Sequence, residues 1–159
     1  MFSEKQLRYH SLYMDIAQRV SEMSYAKRLK VGAIIEKDGR IISTGWNGMP
    51  AGMDNNCEHE IVTGNGTYDH VQLVTRSEVM HAERNAIDKL ASSNESSKDA
   101  TLYITHSPCL ECAKSIYTSG VKTVLYKNLY RSSEGVKFLQ AMNVSVIHFE
   151  GKENANNGI

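Results

Sequence analysis

His81, Cys109 and Cys112 are side chains of the kind that hold a zinc ion, and Glu83 stands two residues after the first of them. A zinc ion that does chemistry keeps three protein ligands and leaves its fourth tetrahedral position to water. The segment His81-Ala82-Glu83, followed by Pro108-Cys109-Leu110-Glu111-Cys112, supplies three ligands and one carboxylate not needed for coordination. A carboxylate beside a metal-activated water is the equipment of hydrolysis with general acid and base catalysis. The pattern reads as a catalytic zinc site.

Such a site needs elements that bring these residues to one point. A C-x-x-C on the first turn of a helix does this for two sulfurs, and Pro108 is expected at the first helical position, where proline is tolerated. The positive end of the helix dipole favours thiolates there. His81 and Glu83 lie about 200° apart on an ideal helix, so they belong at a helix start rather than mid-helix. Ser77 and Glu78 form a polar lead-in, and Ala86, Ile87 and Leu90 mark the buried stripe of the helix that follows. Two helix N-termini then converge on one ion. Taken alone, the C-x-x-C is equally compatible with a redox pair, or with a structural zinc for which Cys57 or His106 would supply the fourth ligand.

The chain has 159 residues, 41% hydrophobic and 23% charged, enough for one globular domain over residues 1–150 with a tail at 151–159. Eighteen basic residues balance eighteen acidic ones, which argues for a small substrate over non-specific nucleic-acid binding. Three cysteines do not make a disulfide framework, and the N-terminus carries no apolar signal core. A soluble cytoplasmic protein is expected.

Ser3-Glu4-Lys5-Gln6 is a capping-box pattern that opens a helix to about Met23, with Leu7, Met14, Ala17 and Val20 near one face. Val31–Ile35 and Arg40–Gly45 flank an Asp38-Gly39 turn and should pair antiparallel. From Trp46 to about Arg76 the chain is rich in Gly, Asn and Asp with little periodicity, and is expected to be an irregular functional loop. Helix from His81, strand Thr101–Thr105, helix from Cys109, strand Val121–Tyr126, helix Ser133–Ala141 and strand Val144–Phe149 then alternate. Alternation of this kind predicts a parallel portion of sheet with helices on its faces, and ligands at the strand ends.

The H-x-E…P-C-x-x-C signature resembles that of zinc-dependent deaminases. Together with Val31-Gly32-Ala33-Ile34-Ile35 and Ile41-Ile42-Ser43-Thr44-Gly45-Trp46-Asn47-Gly48-Met49-Pro50-Ala51-Gly52, it makes most of the chain similar to the cytidine deaminase-like superfamily. The Gly-Trp-Asn-Gly-Met-Pro block narrows the resemblance to the deoxycytidylate (dCMP) deaminases, viral and phage members included. The resemblance implies a three-layer α/β/α fold with a mixed central sheet of about five strands. It implies one catalytic Zn2+ per chain on His81, Cys109 and Cys112, and Glu83 as proton shuttle in the hydrolysis of dCMP to dUMP and ammonia, supplying dUMP for thymidylate synthesis.

By the same resemblance Asn47 contacts the 3′-hydroxyl, the Ala82 N–H and the Ser107 carbonyl meet the base, and Tyr130 serves the 5′-phosphate. Lys27, Arg28 and Lys30 are further phosphate candidates. The family implies a homohexamer with dCTP as activator and dTTP as inhibitor, each with Mg2+, through Gly45, Trp46, Asn47 and Gly48. Trp46 stands where the family carries Tyr, replacing a phenol with an indole N–H that donates only. Cys57, His59 and His70 correspond to a loop that holds a second zinc in some viral members, but Ala26 stands where a further cysteine ligand is expected. Deamination of a free nucleoside, of a riboflavin precursor or of a base in single-stranded nucleic acid, and a structural-zinc binding module, are the competing functions.

Overall fold

In the computed structural model, which describes residues 2–151, Ser3 opens helix α1 (Glu4–Ser21) as its signature requires: its hydroxyl accepts the Gln6 N–H while the Gln6 side chain accepts the Ser3 N–H. The helix ends at Ser21, short of Met23. Asp38 and Gly39 both adopt positive φ, 53° and 78°, the turn geometry whose twist matches paired strands. Strands β1 (Gly32–Lys37) and β2 (Arg40–Trp46) accordingly run antiparallel, with Lys37 opposite Arg40.

The segment expected to be an irregular loop contains a hairpin instead. Strands β3 (Glu58–Thr63) and β4 (His70–Thr75) form a separate two-stranded sheet, Glu58 opposite Thr75 and Thr63 opposite His70. Ile61, Val62 and Val71 are exposed, so neither face shows the buried alternation by which strands are ordinarily recognised. Backbone pairing, not a core, defines this element.

Helix α2 (Ala82–Leu90), strand β5 (Thr101–His106), helix α3 (Leu110–Thr118), strand β6 (Thr123–Asn128), helix α4 (Glu134–Ala141) and strand β7 (Ser145–His148) complete the alternation. The central sheet has the order β2-β1-β5-β6-β7; β1 is antiparallel to both neighbours, and β5, β6 and β7 are parallel. This is the mixed five-stranded sheet that was expected. Successive strand residues point to opposite faces. Ile34, Tyr103 and Leu125 pack under α1 with Tyr13, Met14 and Ala17, whereas Ala33, Ile35, Leu102, Ile104 and Val124 pack with residues of α2, α3 and α4. The result is three layers. The tail expected at 151–159 lies, beyond Gly151, outside the described residues.

Candidate active site

Parallel β5 and β6 end at His106 and Asn128, and the site grows from the turns that leave them. His81 is the N-cap of α2 and Cys109 the N-cap of α3, both with extended backbone, and neither side chain caps its own helix. They meet each other instead. His81 Nδ1 lies 3.6 Å from Cys109 Sγ and 3.3 Å from Cys112 Sγ, and one ligand atom from each residue lies within 4.8 Å of the others. Pro108 precedes the N-cap rather than occupying the first helical position, because Cys109 takes the extended conformation that leaves its sulfur free to turn toward His81.

The electrostatics fit a divalent cation. Hydrogen bonds with Cys112 and His81 push the Cys109 thiol down, while Cys109 and burial push the Cys112 thiol up. Hydrogen bonding with Cys109 raises His81. One imidazole and two sulfurs at a shared point are a zinc donor set, and the positive charge of the ion would let both thiols ionise. Among the described residues this is the one His/Cys/Asp/Glu group whose ligand atoms converge.

Glu83, the second residue of α2, is 3% exposed, and burial pushes its carboxyl up. A carboxyl held above its ordinary range is suited to accepting and returning a proton near neutral pH. Neighbouring backbone fixes α2. A Cβ on Gly45 would sit 2.2 Å from the Ala82 carbonyl oxygen, so β2 and the start of α2 touch backbone to backbone. The Asn85 side chain donates to the Trp46 carbonyl at 2.8 Å, and Gly48 and Met80 exchange N–H and C=O bonds. A Cβ on Gly135 would likewise sit 2.2 Å from the Pro108 carbonyl oxygen, so α4 backs the turn that carries Cys109.

A cavity of about 600 Å³ opens over these groups, and its walls include Asn47, His81, Ala82, Glu83, Ser107, Cys109 and Tyr130. Asn47 holds the adjacent loop, its Oδ1 accepting the Val31 N–H and its Nδ2 donating to the Leu29 carbonyl, both at 2.8 Å. Ser107 Oγ accepts the Tyr130 N–H at 2.8 Å. Of the three candidate cations, Arg28 reaches the wall and Lys27 and Lys30 do not. Gly45, Trp46 and Gly48 lie behind α2 rather than on the wall, with Lys89 Nζ 4.8 Å from the Trp46 ring centroid.

Arg131 and Glu58 also line the cavity, as does His106, the candidate fourth ligand of a structural zinc, which like Cys57 does not join the His81, Cys109 and Cys112 group. Arg131 adjoins Tyr130, and that adjacency was the available signal; nothing local marks Glu58. Cys57 is buried at the wall, but His59 and His70 are exposed at different hairpin positions, so the structure does not bring these three together.

Comparison with known proteins agrees with this geometry. Residues 7–128 match the family described as the cytidine and deoxycytidylate deaminase zinc-binding region. The chain is 38% identical over 151 residues to the deoxycytidylate deaminase of Enterobacteria phage T4, covering 76% of this chain and 78% of that one. It is 31% identical to the human deoxycytidylate deaminase over 121 residues, covering 76% of this chain and 65% of that one. The crystal structure of dCMP deaminase from cyanophage S-TIM5 in complex with dCMP and dUMP superposes with a TM-score of 0.78 at 38% identity, over 94% of this chain and all of that one. A structure of tRNA:A34 deaminases, at 19% identity and TM-score 0.56, shares the fold. With the ligand triad, the buried carboxyl and the sheet all in place, the chain belongs to the cytidine and deoxycytidylate deaminase family.

Proposed function

We propose that this chain hydrolyses dCMP to dUMP and ammonia, supplying dUMP for thymidylate synthesis. The observation that carries the reading is buried Glu83 beside the His81, Cys109 and Cys112 cluster, in a cavity that also presents Arg28, Tyr130 and Arg131. The cationic and phenolic groups suit a 5′-phosphate, and the similarity to proteins named deoxycytidylate deaminase supports the same substrate. Zinc, when bound, acidifies water. Glu83 would take one proton as the water oxygen bonds to C4 and deliver it to N3, then take the second from the resulting C4 hydroxyl and pass it to the exocyclic nitrogen, so that the C4–N bond breaks, C4=O forms and ammonia leaves. The Ala82 N–H, which has no intrahelical acceptor, and the Ser107 carbonyl orient the base edge. Asn47 takes the 3′-hydroxyl through the remaining hydrogen-bonding capacity of its amide.

Regulation by dCTP as activator and dTTP as inhibitor, each with Mg2+, belongs to the same proposal. Gly45, Trp46, Asn47 and Gly48 are its site; contact of Gly45 with Ala82 and of Trp46 with Asn85 gives an effector there a direct path to the catalytic helix. A homohexamer in the cytoplasm completes the reading; the free thiols of Cys57, Cys109 and Cys112 suit a reducing compartment.

The direct test is Glu83→Gln. The variant should retain one zinc per chain and the wild-type melting profile while turnover of dCMP falls by at least about 10²–10⁴-fold, the usual contribution of a proton-transfer group. Wild-type turnover by this variant would contradict the mechanism.

A further inference from the structure

Glu58, at the start of β3, is 4% exposed and lines the cavity wall. Its Oε1 accepts the backbone N–H of Lys27 at 2.9 Å and of Arg28 at 3.1 Å. Its Oε2 is also buried and has no hydrogen-bond partner within the described residues. Across the hairpin Glu58 pairs with Thr75, and Thr75 Oγ1 accepts from Arg28 Nη1 at 3.0 Å. One residue pair at the hairpin base therefore holds Arg28 twice, by its backbone and by its guanidinium. Asn47 fixes the other end of the same segment through Leu29 and Val31.

A buried carboxyl with an unpartnered oxygen costs stability, and an apolar side chain of similar volume would fill the space without that cost. Both hydrogen bonds that Glu58 does make go to the stretch that carries Arg28 into the cavity. We propose that Glu58 is a positioning residue for phosphate recognition: it fixes the Lys27–Arg28 backbone so that the Arg28 guanidinium, steadied by Thr75, faces the 5′-phosphate of the substrate. The proposal rests on the nucleotide-monophosphate reading above. It also gives the hairpin a role, as the platform that sets a phosphate-binding cation.

The test uses the zinc-loaded full chain as wild type, Glu58→Ala, Glu58→Gln, Arg28→Ala and the Glu58→Ala/Arg28→Ala double variant. Steady-state kinetics with dCMP is run beside calorimetric binding of dUMP, deoxyuridine and inorganic phosphate. Glu58→Ala should raise KM for dCMP and Kd for dUMP and phosphate by about tenfold or more, with kcat within about threefold and deoxyuridine binding unchanged. Glu58→Gln, whose amide oxygen still accepts both N–H groups, should recover to within about threefold of wild type. The double variant should be no weaker than Arg28→Ala alone, because both changes act through one guanidinium. Equal weakening of dUMP and deoxyuridine, a Gln variant as poor as the Ala variant, or additive losses in the double variant would each overturn the proposal. A wild-type protein that binds phosphate without turning over dCMP would overturn the substrate reading alone, and the effect of Glu58→Ala on phosphate binding would then decide the positioning role.

Discussion

Glu83 and Arg131 face the same cavity with different chemistry, and substitution separates them. If the proposed reading holds, Arg131→Ala removes a phosphate partner but no proton carrier, so KM for dCMP should rise by about tenfold or more with a smaller change in kcat, as read by initial rates over a range of dCMP. A fall in kcat with KM unchanged would place Arg131 in the transition state instead. The convergence of His81, Cys109 and Cys112 was legible in the sequence because metal ligation restricts residue type and spacing together, and Glu83 belongs to the same short motif as His81. Arg131 and Glu58 were not, because a single charged residue carries no such restriction, and only the folded chain brings residues 28, 58 and 131 to one wall.

At the scale of elements, the site depends on two places where backbones touch. Gly45→Ala would drive a methyl into the Ala82 carbonyl and the Ala86 N–H and should cost about 1–3 kcal/mol in chemical denaturation. Gly135→Ala would press on the Pro108–Cys109 carbonyls, moving the turn that carries Cys109. Its expected signature is zinc affinity lowered by about 10–100-fold in a competition titration with a chelator, the range seen when groups supporting a ligand are disturbed. Unchanged affinity would show that the turn does not need α4. The helices and central strands were readable from apolar periodicity and from the Ser3 and Asp38-Gly39 signals. The β3–β4 hairpin was not, because Ile61, Val62 and Val71 are exposed and no buried face repeats along it. Pro108 was expected at the first helical position and stands two residues before it, because Cys109 takes the extended N-cap conformation and the helix begins at Leu110.

For the whole molecule, stability should depend on pH through two half-buried histidines, His10 and His106. Burial lowers His10, whose Nδ1 lies 2.8 Å from the Tyr103 hydroxyl and which Glu36 partly offsets; burial also lowers His106. Between the depressed native values and the ordinary 6.5, the unfolded chain binds more protons than the folded one. Stability is therefore fully present above about 6.5 and is lost as pH falls below it. Melting temperatures across this range should drop on acidification, and less so in His10→Gln; an equal drop in that variant would remove His10 from the account. The layered sheet was visible in the alternation of elements, whereas the direction of β1 between β2 and β5 is a pairing choice that alternation alone does not encode. The central claim, that this architecture serves a nucleotide, is tested most directly by ammonia release from zinc-loaded wild-type protein given dCMP, deoxycytidine or a short single-stranded DNA. Turnover of dCMP with little or none of the other two is the expected result, and turnover of deoxycytidine or DNA in preference to dCMP would contradict it.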